Sequence, residues 1–204
     1  MSIRLAAWVL LLLQLAACAS TPSASTTADI CRLFEDRRSW FHAAQRAKER
    51  WDIPVPVSMA FIEQESGFRA RAKPPRKRIL GFIPGSRPSN ASGYAQALES
   101  TWDQYQRESG NRLSRRSNFA DAVDFVAWYN RGSVRASRIA PSDAYNLYLA
   151  YHEGNGGFQR RTYAGKKWLL DTARDVQNTA TRYETQLRGC ERRLGRNWLL
   201  RLLS

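Results

Sequence analysis

The stretch Val57-Ser58-Met59-Ala60-Phe61-Ile62-Glu63-Gln64-Glu65-Ser66-Gly67-Phe68 runs from apolar residues into a pair of carboxylates and then a glycine. Pro54 and Pro56 stand just before it, and proline suits a first helical turn, where a missing N–H costs little. The run predicts a largely buried helix from Val57 to about Ser66, with Gly67 as its C-terminal stop. Two residues rotate a helix by about 200°, so Glu63 and Glu65 point to nearly opposite sides. They cannot act as a pair on one face. If one lines a groove, the other faces away.

Working outward, Asp29 to Asp52 carries Leu33, Phe34, Phe41, Ala44 and Trp51 at near-helical spacing and predicts a first helix. Residues 69–92 differ in kind. Lys73-Pro74-Pro75-Arg76-Lys77-Arg78 is basic and proline-broken, Ile79 to Ile83 is β-like, and Pro84-Gly85-Ser86 signals a turn. This reads as a loop with one small hairpin. Ser100-Thr101-Trp102-Asp103 predicts an N-cap and a helix to about Glu108. Further helices are expected from Ser117 to about Tyr129, from Pro141-Ser142-Asp143 to His152, and from Lys166 to Leu187. The tail, residues 194–204, mixes Arg196 and Arg201 with Trp198 and leucines; it suits packing as a short helix or a membrane interface. The expected class is mainly α with a minor β element.

Two later stretches complete the pattern. Gly93-Tyr94-Ala95-Gln96 is a tight glycine turn leading to a side-chain amide, and Ala150-Tyr151-His152-Glu153-Gly154 is an aromatic helix meeting a glycine. With Glu65-Ser66-Gly67-Phe68, in this order, they resemble the SLT-type lytic transglycosylases, a lysozyme-like family that cleaves the glycan strands of bacterial cell wall. The resemblance covers residues 57–158. It implies a lysozyme-like α+β domain, a helical body with the hairpin loop beside a cleft. It implies Glu65 as the catalytic acid, since the family's glutamate immediately precedes a serine. Ser66, Gln96 and Tyr151 are then expected at the substrate. Tyr94 and Ala95 depart from the family's Gly-Leu-Met-Gln, and His152 and Glu153 depart from its Ala-Tyr-Asn-Ala-Gly. Glu153 is either a second carboxylate in the cleft or a helix-end charge.

The chemistry needs a protonated carboxyl near neutral pH, and apolar burial provides that by disfavouring the charged form. The resemblance implies cleavage of the bond between N-acetylmuramic acid and N-acetylglucosamine, with closure to a 1,6-anhydro product. A lysozyme-type hydrolase and an inactive wall-binding module are the alternatives. A basic scaffold for an envelope machine is a third.

The N-terminus reads as an export segment: Arg4, then an apolar core from Leu5 to Leu15 too short for an ordinary membrane span. Leu15-Ala16-Ala17-Cys18 resembles the lipobox of bacterial lipoproteins. The expectation is a signal peptide over 1–17, lipid on Cys18, a flexible tether over 18–28 and one domain over 29–204. An ordinary secretory signal is the alternative. No aspartate follows Cys18, and lipoprotein sorting then implies the outer membrane, facing the periplasm. The remaining cysteines, Cys31 and Cys190, form an even pair in an oxidising compartment and are expected to bridge, with two unrelated thiols as the alternative.

The formal net charge is +14. That implies an anionic neighbour, and for an exported chain carboxylate-bearing wall peptides or lipid headgroups fit better than nucleic acid. Histidine occurs only at His42 and His152, without a cysteine or aspartate cluster, so no metal and no cofactor is expected.

Overall fold

The computed structural model describes residues 21–76, 78–79, 83–84, 86 and 89–202. The expected signal peptide and Cys18 lie outside the described residues. Eight helices follow in chain order: α1 (Ala24–Thr27), α2 (Ile30–Asp36), α3 (Arg38–Trp51), α4 (Val55–Ser66), α5 (Glu99–Ser109), α6 (Phe119–Ser137), α7 (Ala144–Gln159) and α8 (Lys167–Leu202). One two-residue pair, β1 (Arg78–Ile79) and β2 (Ile83–Pro84), is antiparallel, with Ile79 opposite Ile83. Among the described residues the domain is helical, with essentially no strand beyond this pair. Among the described residues no helix is long and apolar enough to cross a membrane.

Helix α4 is the axis of the fold. Val55 through Ile62 are all buried. A helix apolar on every side must be enclosed on every side. Helix α8 packs along it, with α3 and α6 also against it, and α7 joins α6 and α8. Helix α8 presents a continuous buried stripe: Leu169, Ala173, Val176, Ala180, Tyr183, Leu187, Cys190 and Leu194. Steps of four and three keep that stripe on one face for the helix's whole described core side.

The structure departs from the expected boundaries at several places. The helix expected over Asp29–Asp52 is two helices, broken at Arg37 (φ −133°, ψ 68°). In one straight helix Phe34 and Phe41 would stand about 10.5 Å apart along the axis. The break lets their rings meet edge-on at 5.4 Å. Ser100 and Asp103 do not cap α5; Leu98 stands at the N-cap without a side-chain bond. Helix α6 starts after Asn118, whose side chain caps Asp121 N–H, and runs on to Ser137. Ile83 and Pro84 pair with Ile79 and Arg78; the turn expected at Pro84-Gly85-Ser86 lies partly outside the described residues.

Helix α8 does not end at Leu187. Its buried stripe continues through Cys190 and Leu194, and that outweighs the helix-breaking tendency of Gly189 and Gly195. The residues expected as a separate C-terminal segment are, to Leu202, its last turns. Part of the expected tether is also structured. Ala24–Thr27 is a helical turn capped by the Ser23 side chain, and Thr27 is buried.

The two ends of the domain meet. Cys31 in α2 and Cys190 in α8 form a disulfide across 159 residues of sequence. Gln186 reinforces it, accepting from Ile30 N–H at 3.0 Å and donating to Ala28 O at 3.1 Å. Replacing both cysteines (Cys31→Ser with Cys190→Ser) is expected to destabilise the domain by about 2–5 kcal/mol, the range typical of long closed loops. Denaturant titration of the oxidised wild type and the double variant checks this; coincident midpoints would refute it.

Candidate active site

Residue 65 is placed by the end of α4. Gly67 takes the left-handed conformation (φ 55°), and its N–H closes the helix on Glu63 O at 2.8 Å. Phe68 is left-handed as well (φ 59°), an unusual state for a bulky residue. It is held there by burial: its ring stacks on Trp40 at 5.7 Å. Phe68 therefore belongs to the core and is not a wall of the cleft.

The two glutamates separate as the helix geometry requires. Glu63 faces α8, accepting from Tyr183 Oη at 2.9 Å and pairing with Arg182 at 3.3 Å. Glu65 faces α7. One turn below it, Phe61 meets the rings of Tyr148 and Tyr151 edge-on at 5.4 and 5.3 Å. The Tyr148 hydroxyl is directed at the Glu65 carboxyl and lowers its pKa. Burial raises it more, up to about 7, so the acid holds its proton near neutrality. A residual part of its surface stays open. The tyrosines respond in turn: burial first, then the Glu65 charge, pushes both phenols well above their ordinary range.

Tyr151 links this pocket to the glycine turn. Its hydroxyl donates to Ala95 O at 2.6 Å, and its ring packs on Tyr129 at 4.9 Å. The turn itself needs glycine. Gly93 has φ 81°, and a Cβ there would stand 2.1 Å from Arg116 O. Gln96, also left-handed (φ 45°), donates through Nε2 to Ala72 O and Gly93 O at 3.0 and 2.9 Å. Its amide hydrogens are thus committed to the backbone, and Oε1 remains as an acceptor.

Two residues expected at the substrate have other partners. Ser66 is buried and its hydroxyl donates to Ile62 O at 3.0 Å, so it points back into its own helix. Glu153 sits about 200° around α7 from Tyr151. It accepts from Lys166 Nζ at 2.7 and 2.8 Å, from the Thr162 hydroxyl, and lies 3.1 Å from His152 Nδ1. These bonds, Lys166 foremost, hold its pKa down at about 2. Glu153 is a clamp across the α7–α8 connection, and no described contact joins it to Glu65. The structure thus gathers Glu65, Tyr151 and the 93–96 turn, and leaves Ser66 and Glu153 outside.

Tyr148 and Tyr129 are the neighbours that sequence reasoning missed. Tyr148 had a readable signal: it precedes Tyr151 by three residues, on one face of the expected helix. Gly154 bends that helix (φ 71°, ψ 158°), after which it continues to Gln159. Beyond the bend, Phe158 stacks on Tyr163 at 5.5 Å. Among the described residues no three His, Cys, Asp or Glu side chains converge as metal ligands.

The raised pKa has a stability consequence. The folded chain keeps the Glu65 proton to about pH 7, whereas an unfolded carboxyl loses it near pH 4.5. Between those values the folded state binds more protons, so stability falls as pH rises, and the loss is complete above pH 7. Glu65→Gln is expected to relieve this by about 2–3 kcal/mol at pH 8 and to change little at pH 4. Thermal unfolding of both proteins across pH 4–8 is the check; a constant offset would contradict the buried, neutral acid.

A family model described as Transglycosylase SLT domain matches residues 6–190. No significant match is found among curated proteins or among solved structures. With the model spanning most of the chain and all three stretches around Glu65, Gly93 and Tyr151, the chain belongs to the transglycosylase SLT domain family.

Proposed function

We propose that the chain is a peptidoglycan lytic transglycosylase with Glu65 as its single acid–base group. Membership of the SLT family supports a cell-envelope glycan as substrate. The observation that carries the reading is a carboxyl kept protonated to about pH 7 by burial, at a partly open site. Such a group can donate to a glycosidic oxygen at neutral pH.

The sequence of steps is as follows. Glu65 gives its proton to the oxygen leaving N-acetylmuramic acid as the C1–O4 bond to N-acetylglucosamine breaks. Positive charge then builds on the muramyl ring. The Glu65 carboxylate takes the proton of the muramyl 6-hydroxyl, whose oxygen closes on C1. The product is a 1,6-anhydro ring, the acid is restored, and no water is consumed. Common glycosidases use two carboxylates. Among the described residues no other carboxylate influences Glu65, and Glu153 is held by Lys166, which favours a one-carboxylate route. Tyr151 fixes the Ala95 carbonyl and packs beneath the acid, a positioning role. Gln96 Oε1 is an acceptor for a substrate N–H or hydroxyl. Lipid on Cys18, the tether and an outer-membrane address are part of the same proposal and rest on the N-terminal sequence alone.

Digestion of purified sacculi with mass analysis of the fragments tests this. The expected products are anhydro fragments, lighter by one water than hydrated ends. Hydrated ends would make the chain a lysozyme-type hydrolase, and sacculus binding without release would make it a binding module. Glu65→Gln is expected to lower turnover by about 10²–10⁴-fold. The wild-type rate is expected to decline as pH rises through about 7, as Glu65 loses its proton.

A further inference from the structure

The segment leaving α4 carries charge that this chemistry does not use. From residue 69 to 73 exposure alternates: Arg69, Arg71 and Lys73 are exposed, while Ala70 and Ala72 are half-buried against the body. All three cations line one pocket. The segment is fixed in place. Arg69 Nε donates to Ser66 O at 2.8 Å, and Ala72 N–H to Arg69 O at 3.2 Å. Ala72 O accepts from Gly93 N–H and from Gln96 Nε2, both at 3.0 Å.

A pocket of about 730 Å³ opens on this side, lined by Thr21, Arg69, Arg71, Lys73 and Ser117 among others. Among the described residues no carboxylate pairs with Arg69, Arg71 or Lys73. Three like charges within five residues repel one another, and a bound anion relieves that repulsion. The location is specific. Ala72 lines the pocket, and its carbonyl holds the Gln96 amide at 3.0 Å. The pocket and the Gln96 turn are thus joined through Ala72.

We propose that this pocket receives the carboxylates of the peptide stems carried by the muramyl sugars of peptidoglycan, so that the chain prefers stem-bearing to bare glycan. The proposal rests on the transglycosylase reading for its substrate class. Arg71 presents a planar fork suited to a carboxylate, and Lys73 a compact charge at the same rim. Being exposed, these contacts are individually modest and are weakened by salt.

The test measures binding, so it does not depend on turnover. Glu65→Gln protein, full length, is titrated with one defined glycan oligosaccharide that carries its peptide stems and with the same oligosaccharide stripped of them. Adding Arg71→Ala and Lys73→Ala is expected to weaken the stem-bearing ligand by about 5–20-fold at low salt and the bare one by less than about twofold. Arg71→Lys with Lys73→Arg is expected to recover most of the loss, and 0.5 M salt to erase the preference. Equal weakening of both ligands, or none, would overturn the proposal. So would charge-dependent capture of anionic phospholipid vesicles without any stem preference, since the pocket would then face a lipid surface. Hydrated or absent products with the stem preference intact would instead remove the transglycosylase reading and leave the anion pocket standing.

Discussion

Enclosure of α4 is the constraint on which the rest depends. Its residues from Val55 to Ile62 have no face that tolerates water. Neighbouring helices must close around it, and where it ends they must still be in register. Glu65 stands one turn beyond that dry section, on the line of Phe61. It inherits the low polarity of the interior without being sealed inside it. Its proton affinity follows from this position, with Tyr148 only moderating it. Glu63, two residues earlier, is also pushed up by burial, but it turns to α8, where Tyr183 and Arg182 both offset the rise; Glu65 has only the Tyr148 hydroxyl.

The turn at residues 93–96 supplies the other half of the site, and it is held by backbone geometry together with side-chain hydrogen bonds to its carbonyls. Gly93 lies against Arg116 O. Tyr94 N–H donates to that same carbonyl at 3.1 Å. Gln96 closes the turn with its own amide, and Tyr151 reaches across to Ala95 O. Aromatic packing then ties both halves together, from Phe61 through Tyr151 to Tyr129. Rigid support of this kind suits a site that must hold a reacting bond in one place.

Much of this was legible in the sequence, and the parts that were not share a cause. The apolar run at 57–62 and Gly67 sufficed for α4 and its stop, and the 200° rotation separated Glu63 from Glu65 correctly. Asp143 was readable as a cap, and its side chain does accept from Asn146 N–H. Boundaries failed where tertiary contact overrode local preference. Arg37 breaks a continuous helical pattern so that Phe34 can meet Phe41. Gly189 and Gly195 look like stops, yet the buried stripe of α8 runs through them. At the site, Ser66 and Glu153 have sequence neighbours that resemble the family pattern, but their partners, Ile62 O and Lys166, are matters of side-chain direction. Tyr129 is 22 residues before Tyr151, and nothing local announces that their rings meet edge-on.

The interlock between α2 and α8 constrains how the chain can acquire its structure. Polypeptides emerge from the ribosome N-terminus first. Here the earliest ordered residues find their partners among the latest: Thr27 O with Tyr183, Ala28 and Ile30 with Gln186, Arg38 with Leu194 O, and Glu35 with Arg193. Helix α3 can rest on α4 and α6, but α1 and α2 cannot complete their contacts until the last helix has been delivered. These are long-range contacts, which form slowly. A chain cut short within α8 loses the anchorage of its own beginning.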